Sequence, residues 1–112
     1  MSMIEEFLTN LEDRGITVRE NTERSQMDKL KRSGDSGYCI YSMENLDAFL
    51  LAKEKEEKDK KRQDLLLKFG AYENDELKHV LIANAILDEA QACKLTATWS
   101  GALYDPIKVL QF

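Results

Sequence analysis

Three constellations in this chain combine residue types that could do chemistry. The first is Ser36 in Gly34-Asp-Ser-Gly37, which beside a histidine base and a buried aspartate could attack a carbonyl carbon. The only histidine, His79, follows that serine rather than lying well before it, and all four residues are turn formers, so the stretch reads as a polar loop. The second is Cys39 with His79, the only pair of types able to make a thiolate and its base. Cys39 sits in the apolar run Tyr38-Cys-Ile-Tyr41, where burial raises a thiol pKa and dulls its reactivity, so a packed thiol is expected. The third is Asp75 with His79, spaced i, i+4 so that a helix would put two metal ligands on one face. A zinc site needs three or four, and no further Cys or His lies at ligand spacing. The expectation is no catalytic, cofactor-binding or metal-binding residue, no cofactor, and a protein that is not an enzyme.

Recognition is the other use of polar side chains, and the charges fall in two groups. Arg24, Lys29, Lys31 and Arg32 make a locally basic segment, and the C-terminal stretch around Trp99 and Tyr104 could add aromatic contacts to nucleic acid. Against this stand a net charge of −5 and a sequence pI near 4.9, the wrong sign for a dedicated phosphate-backbone binder. Glu5, Glu6, Glu12 and Asp13 make the opposite group, joined by Asp75 and Glu76, and would suit a basic protein partner whose approach they steer. Trp99 and Tyr104 are the candidate anchors of such an interface.

These residues need elements to hold them. Ile4, Phe7, Leu8 and Leu11 fall at helical spacing, with Ser2 as a cap and Gly15 as the stop, and Ile16-Thr-Val18 then alternates like a short strand. After the polar stretch 19–37, which could hold a short helix at Ser25–Arg32, Tyr38–Tyr41 is a second strand able to pair with Ile16–Arg19. Ser42 caps a helix with Glu44 in its first turn.

Residues 53–64, Lys-Glu-Lys-Glu-Glu-Lys-Asp-Lys-Lys-Arg-Gln-Asp, contain no apolar side chain and must lie in water. Glu54, Glu56 and Glu57 each precede a lysine by four residues, the orientation that supports a helix by about 0.2–0.5 kcal/mol per pair. A helix running unbroken from Met43 to Phe69 would be about 40 Å long, more than the ~34 Å width of a compact domain this size. It must therefore protrude or break, and Gly70 would end it. Apolar residues on both sides of the charged block, Leu46 to Leu51 and Leu65 to Phe69, are the expected contacts of a homodimer.

Asn74-Asp-Glu-Leu77 starts a last helix reaching about Cys93. Its apolar residues, Leu77, Val80, Leu81 and Leu87 on one side and Ile82, Ile86, Ala90 and Cys93 on the other, predict burial between two layers or between two subunits. Lys94 to Trp99 and Ala102 to Phe112 read as two strands around Ser100-Gly101, with Leu95, Ala97 and Trp99 on one face and Pro106 at a strand start.

The 112 residues, 43% hydrophobic, suit one domain at 1–112 with a charged helical segment at 53–64. The fold expected is α+β: about three main helices, one long and charged in its middle, on a small antiparallel β-sheet of Ile16–Arg19, Tyr38–Tyr41 and the C-terminal strands. Cys39 and Cys93 read as two reduced, buried thiols, and with no signal peptide pattern or membrane-length apolar run the expected location is cytoplasmic. Small acidic domains without catalytic motifs are typical of bacterial and bacteriophage inhibitor, immunity and adaptor proteins. The function expected is such a role, protein binding against a basic target such as a nuclease. The alternative is a small nucleic-acid-binding regulator using the 24–32 segment and the C-terminal hairpin.

Overall fold

The computed structural model describes residues 3–54, 64–73, 75–103 and 105–110. Helix α1, Met3–Asp13, buries Ile4, Phe7 and Leu11, and the chain turns at Gly15, whose φ of +89° is the left-handed conformation a glycine stop supplies, into β1, Ile16–Glu20. A 3₁₀ turn, Arg24–Gln26, and a four-residue helix α2, Met27–Leu30, then carry the chain to β2, Gly37–Tyr41. Helix α3 spans Met43–Glu54, β3 Leu65–Ala71, α4 Glu76–Ala92, β4 Ala97–Thr98 and β5 Ile107–Val109.

The five strands form one sheet in the order β1-β2-β3-β5-β4. Alternation along them divides the side chains. Ile16, Val18, Cys39, Leu65, Leu67, Phe69, Ile107 and Val109 join one core with residues of all three longer helices: Phe7 and Leu11 from α1, Leu46 and Phe49 from α3, Ile82, Ala83 and Ile86 from α4. Thr17, Tyr38, Ile40, Leu66, Lys68 and Lys108 point to the other face. Met27 is fully buried yet stands outside that core, as does Ile40, so the 21–36 connection covers part of the second face.

The α+β class and a mostly antiparallel sheet agree with the sequence reading, while four details differ. First, Leu65–Ala71 is not the end of a long helix but a strand in the middle of the sheet, antiparallel to both β2 and β5. Its Leu65, Leu67 and Phe69 are completely buried and Leu66 and Lys68 exposed, the period of two that a run of three leucines conceals. Of the charged segment, Lys53 and Glu54 close α3, and the expected helix over 55–63 lies outside the described residues. Second, β1 and β2 pair as expected but in parallel, Ile16 beside Gly37 and Glu20 beside Tyr41. The connection from 21 to 36 is long enough for the crossover that parallel strands require. Third, α4 does not lie between two layers of the chain, since Leu77 and Leu81 are 68% and 57% exposed while Ile82, Ile86 and Ala90 are in the core. Fourth, the helices number four among the described residues, because α2 adds a single turn.

The hydrophobic residues flanking the charged segment also change role. Leu46, Phe49, Leu65, Leu67 and Phe69 are buried in the core of the chain, while Leu66 is exposed. Both cysteines are free and buried. No helix among the described residues is long and apolar enough to cross a membrane.

Candidate functional site

A cleft of about 250 Å³ opens where the head of α4 meets the facing ends of β2 and β3. Two tyrosines form its aromatic wall. Tyr38 pairs across the sheet with Gly70, and its ring lies over that glycine so closely that a Cβ there would stand 2.5 Å from the phenolic oxygen. Tyr72, just past β3, sets its ring 5.5 Å from that of Tyr38 at 55°. Burial pushes the Tyr72 phenol pKa upward. Lys31 places its ammonium 5.5 Å from the centre of the Tyr72 ring, so the chain's own cation already uses that aromatic surface.

Four carboxylates line the same cleft: Asp28 from α2, Glu73 from the turn after β3, and Asp75 and Glu76 from the start of α4. Arg24 is the one arginine or lysine among the lining residues. Asp75 caps α4, accepting from the backbone N–H groups of Leu77 at 2.9 Å and Lys78 at 3.4 Å. Glu73 is ion-paired with Lys78. His79 also lines the cleft, but its ring packs on Phe69 with centroids 4.8 Å apart, and Nε2 donates to the carbonyl of Leu103. That bond puts a proton on Nε2 and holds the ring as a wall.

The acidic residues singled out from sequence do not form one surface. Asn10 donates to the sulfur of Cys93 at 3.5 Å, and Arg14 reaches the carbonyl of Ala85 at 3.4 Å and the Glu89 carboxylate at 3.1 Å. Helix α1 therefore runs antiparallel along the C-terminal half of α4. Asp75 and Glu76 lie about 14 Å further along α4 than Ala85, with Glu5 and Glu6 displaced towards the other end. Glu5, Glu6 and Asp13 are exposed. Glu12 is ion-paired with Arg32 at 3.0 Å. Trp99 packs edge-on against Phe69, and its indole N–H donates to the Ala102 carbonyl at 3.0 Å. Tyr104 lies outside the described residues.

The basic segment is likewise divided. Arg24 lines the cleft, Lys31 lies over Tyr72, Lys29 is exposed, and Arg32 is held by Glu12 and Asp35. Among the described residues no group of three or more His, Cys, Asp and Glu is placed to hold a metal ion. Asp28, Tyr38, Tyr72 and Glu73 were not marked by sequence reasoning. The one local signal is the strand pattern of Tyr38–Tyr41.

A family model described as a domain of unknown function, DUF6891, matches residues 4–112. The chain belongs to the DUF6891 family. Neither a curated protein nor a solved structure matches it. The match takes in every strand and both helices, α2 and α4, that line the cleft, so the site belongs to the family domain itself.

Proposed function

We propose that this chain is a non-enzymatic protein-binding domain and that the cleft at the head of α4 receives a basic side chain of its partner. The observation that carries the reading is the meeting of four carboxylates from three segments around two tyrosine rings, one of which already faces a lysine ammonium. Carboxylates offer a guanidinium charge-assisted hydrogen bonds, and the rings offer it a face to stack on. Leu77 and Leu81, exposed on the first turns of the same helix, give a protein partner the apolar contact that an interface centre uses.

Groups that could have served catalysis are engaged elsewhere. Burial pushes the Cys39 thiol up to about 12, and His79 is held between Phe69 and Leu103. An inhibitor, immunity or adaptor role against a basic protein such as a nuclease would use the cleft in this way. A homodimer stays within the proposal, its contact moved to Leu77 and Leu81. The nucleic-acid reading has less support, because Arg32 and Lys31 are committed within the chain.

Titration of the isotope-labelled chain with a short arginine-containing peptide, and with the same peptide carrying glutamate instead, tests the reading by NMR. Shifts should gather at Tyr38, Tyr72 and residues 75–79 with the arginine peptide alone, and the double variant Asp28→Lys, Glu76→Lys should lose them. Equal responses to both peptides, or a double variant that still responds, would overturn it.

A further inference from the structure

On the face of the sheet away from the three longer helices lies a second depression, of about 330 Å³. Ile40 and Leu66 make its floor and Pro106 one wall. Leu66 is 42% exposed, one of few large apolar side chains left open to water, and it stands in the middle of a sheet rather than at a frayed end.

The polar groups around this trough are already bonded. The Asn21 side-chain oxygen accepts from the Met43 backbone N–H at 3.0 Å, and that of Asn45 accepts from the N–H of Leu66 at 2.8 Å. The Thr22 hydroxyl donates to the Glu20 carbonyl at 2.8 Å, and the Ser42 hydroxyl accepts from the N–H of Asn45 at 3.3 Å. What the trough offers an occupant is therefore apolar surface and the ammonium of Lys68. Lys68 pairs across the strands with Ile40 and lies two residues from Leu66, and Lys108 stands directly opposite Leu66 on β5. Among the described residues neither lysine has a carboxylate partner. Glu23 is the one carboxylate on the rim.

We propose that this trough binds a small amphiphilic carboxylate, its apolar body on Ile40, Leu66 and Pro106 and its single anionic group towards Lys68, with Lys108 adding to the positive field. The volume is that of a small-molecule site, and a mostly apolar lining with few charged groups, here Lys68 and the rim carboxylate of Glu23, is the pattern such sites share. A peptide suits it less well. Its own amides would lie on an apolar floor while the neighbouring backbone N–H groups are already taken, leaving them unpaired.

The test is NMR titration of the full chain with sodium octanoate, with 1-octanol and octylammonium as matched bodies of different charge. Octanoate should give saturable shifts at Ile40, Leu66 and Lys68 in the low-millimolar range, and octanol should bind about fivefold more weakly. Lys68→Gln, on an exposed side chain, should bring octanoate down to the level of octanol and leave octanol unchanged. The double variant Asp28→Lys, Glu76→Lys should keep octanoate binding, which separates this site from the acidic cleft. The proposal falls if octanoate gives no saturable shift there, if octylammonium binds as well, or if Lys68→Gln has no effect on it.

Discussion

Arg32 and Asp35 meet at two points, Nε to Oδ2 at 2.7 Å and Nη2 to Oδ1 at 3.2 Å, and the same carboxylate accepts the Thr17 hydroxyl at 2.5 Å. Arg32 also donates to the Glu12 carbonyl at 2.7 Å. This small network fastens the 21–36 connection to the end of α1 and to the second face of β1. Asp35 is one of two buried polar residues among those described, and the other is its partner Thr17. Burial alone would raise the Asp35 pKa, but the hydrogen bonds from Arg32 and Thr17 and the Arg32 charge outweigh it and hold the carboxyl below its usual range.

A depressed folded pKa gives stability that is present above the unfolded value, about 3.9 for aspartate, and lost as pH falls through the folded value. Asp35→Asn should therefore cost about 1–3 kcal/mol at neutral pH and flatten the acid limb of stability. Urea denaturation of both proteins from neutral pH downward would measure this. An asparagine variant losing stability as steeply as the original chain would show that Asp35 is not the group responsible.

Two glycines of the sheet should respond differently to the same methyl group. At Gly37 a Cβ would meet Ile82 Cδ1 at 2.5 Å and the backbone oxygen of Gly70 at 2.8 Å, and the carbonyl cannot move without the sheet. Gly37→Ala should destabilise by about 1–3 kcal/mol, and adding Ile82→Val should not restore the loss. At Gly70 the three atoms nearest the Cβ all belong to the far end of the Tyr38 ring, which can swing away. Gly70→Ala should keep most of the stability and disturb the cleft, visible as shifted Tyr38 and Tyr72 ring resonances. Equal destabilisation by the two alanines would contradict this account.

Where local chemistry decides, the sequence was readable. The stop at Gly15, the start of α4 within 74–77 and the amphipathic stripe of α1 each depend on neighbours within one or two turns. Strand β3 was not readable, because Leu65-Leu66-Leu67 satisfies both periods, leucine favours helices, and the preceding charges are helix formers. Pairing with β2 on one side and β5 on the other decides it, and those partners are distant in sequence. The direction of the β1–β2 pair leaves no mark on either strand. The cleft was half legible. Asp75 and Glu76 were marked by capping chemistry, but Tyr38 and Tyr72 come together only through the register that sets Tyr38 against Gly70.

The outer edge of β1 should be guarded by two side chains. Gly15 accepts from the Ser36 N–H and Asn21 donates to the Tyr41 carbonyl, so odd-numbered residues of this stretch turn towards β2 and Ile16, Val18 and Glu20 turn outward. Of those three outward carbonyls, Val18 accepts from Arg19 Nη1 at 2.7 Å and Glu20 from the Thr22 hydroxyl at 2.8 Å. An edge with occupied acceptors is a poor template for another strand. Arg19→Ala with Thr22→Ala should cost no more than about 1–2 kcal/mol, yet its weight-average mass in light scattering should rise with concentration beyond that of the original chain. If the two curves coincide, these side chains do not protect the edge.

Cys39 should be silent to thiol reagents until the sheet opens. It is completely buried and its thiol is pushed up to about 12 by that burial, whereas Cys93 lies nearer the surface beside Asn10, its thiol raised by burial against the opposing Asn10 hydrogen bond. Labelling at neutral pH should modify Cys93 first, and Cys39 at a rate that follows global unfolding as urea is added. A raised folded pKa also makes stability fall once pH passes the unfolded thiol value, about 8.5, and the loss continues up to the folded value. Cys39→Ala should lower stability at neutral pH by leaving a small cavity, and it should weaken the alkaline dependence without abolishing it, because Cys93 shifts in the same direction. Fast labelling of Cys39 in the folded chain would mean that β2 opens locally, and the engaged, non-catalytic reading of this cysteine would then have to be given up.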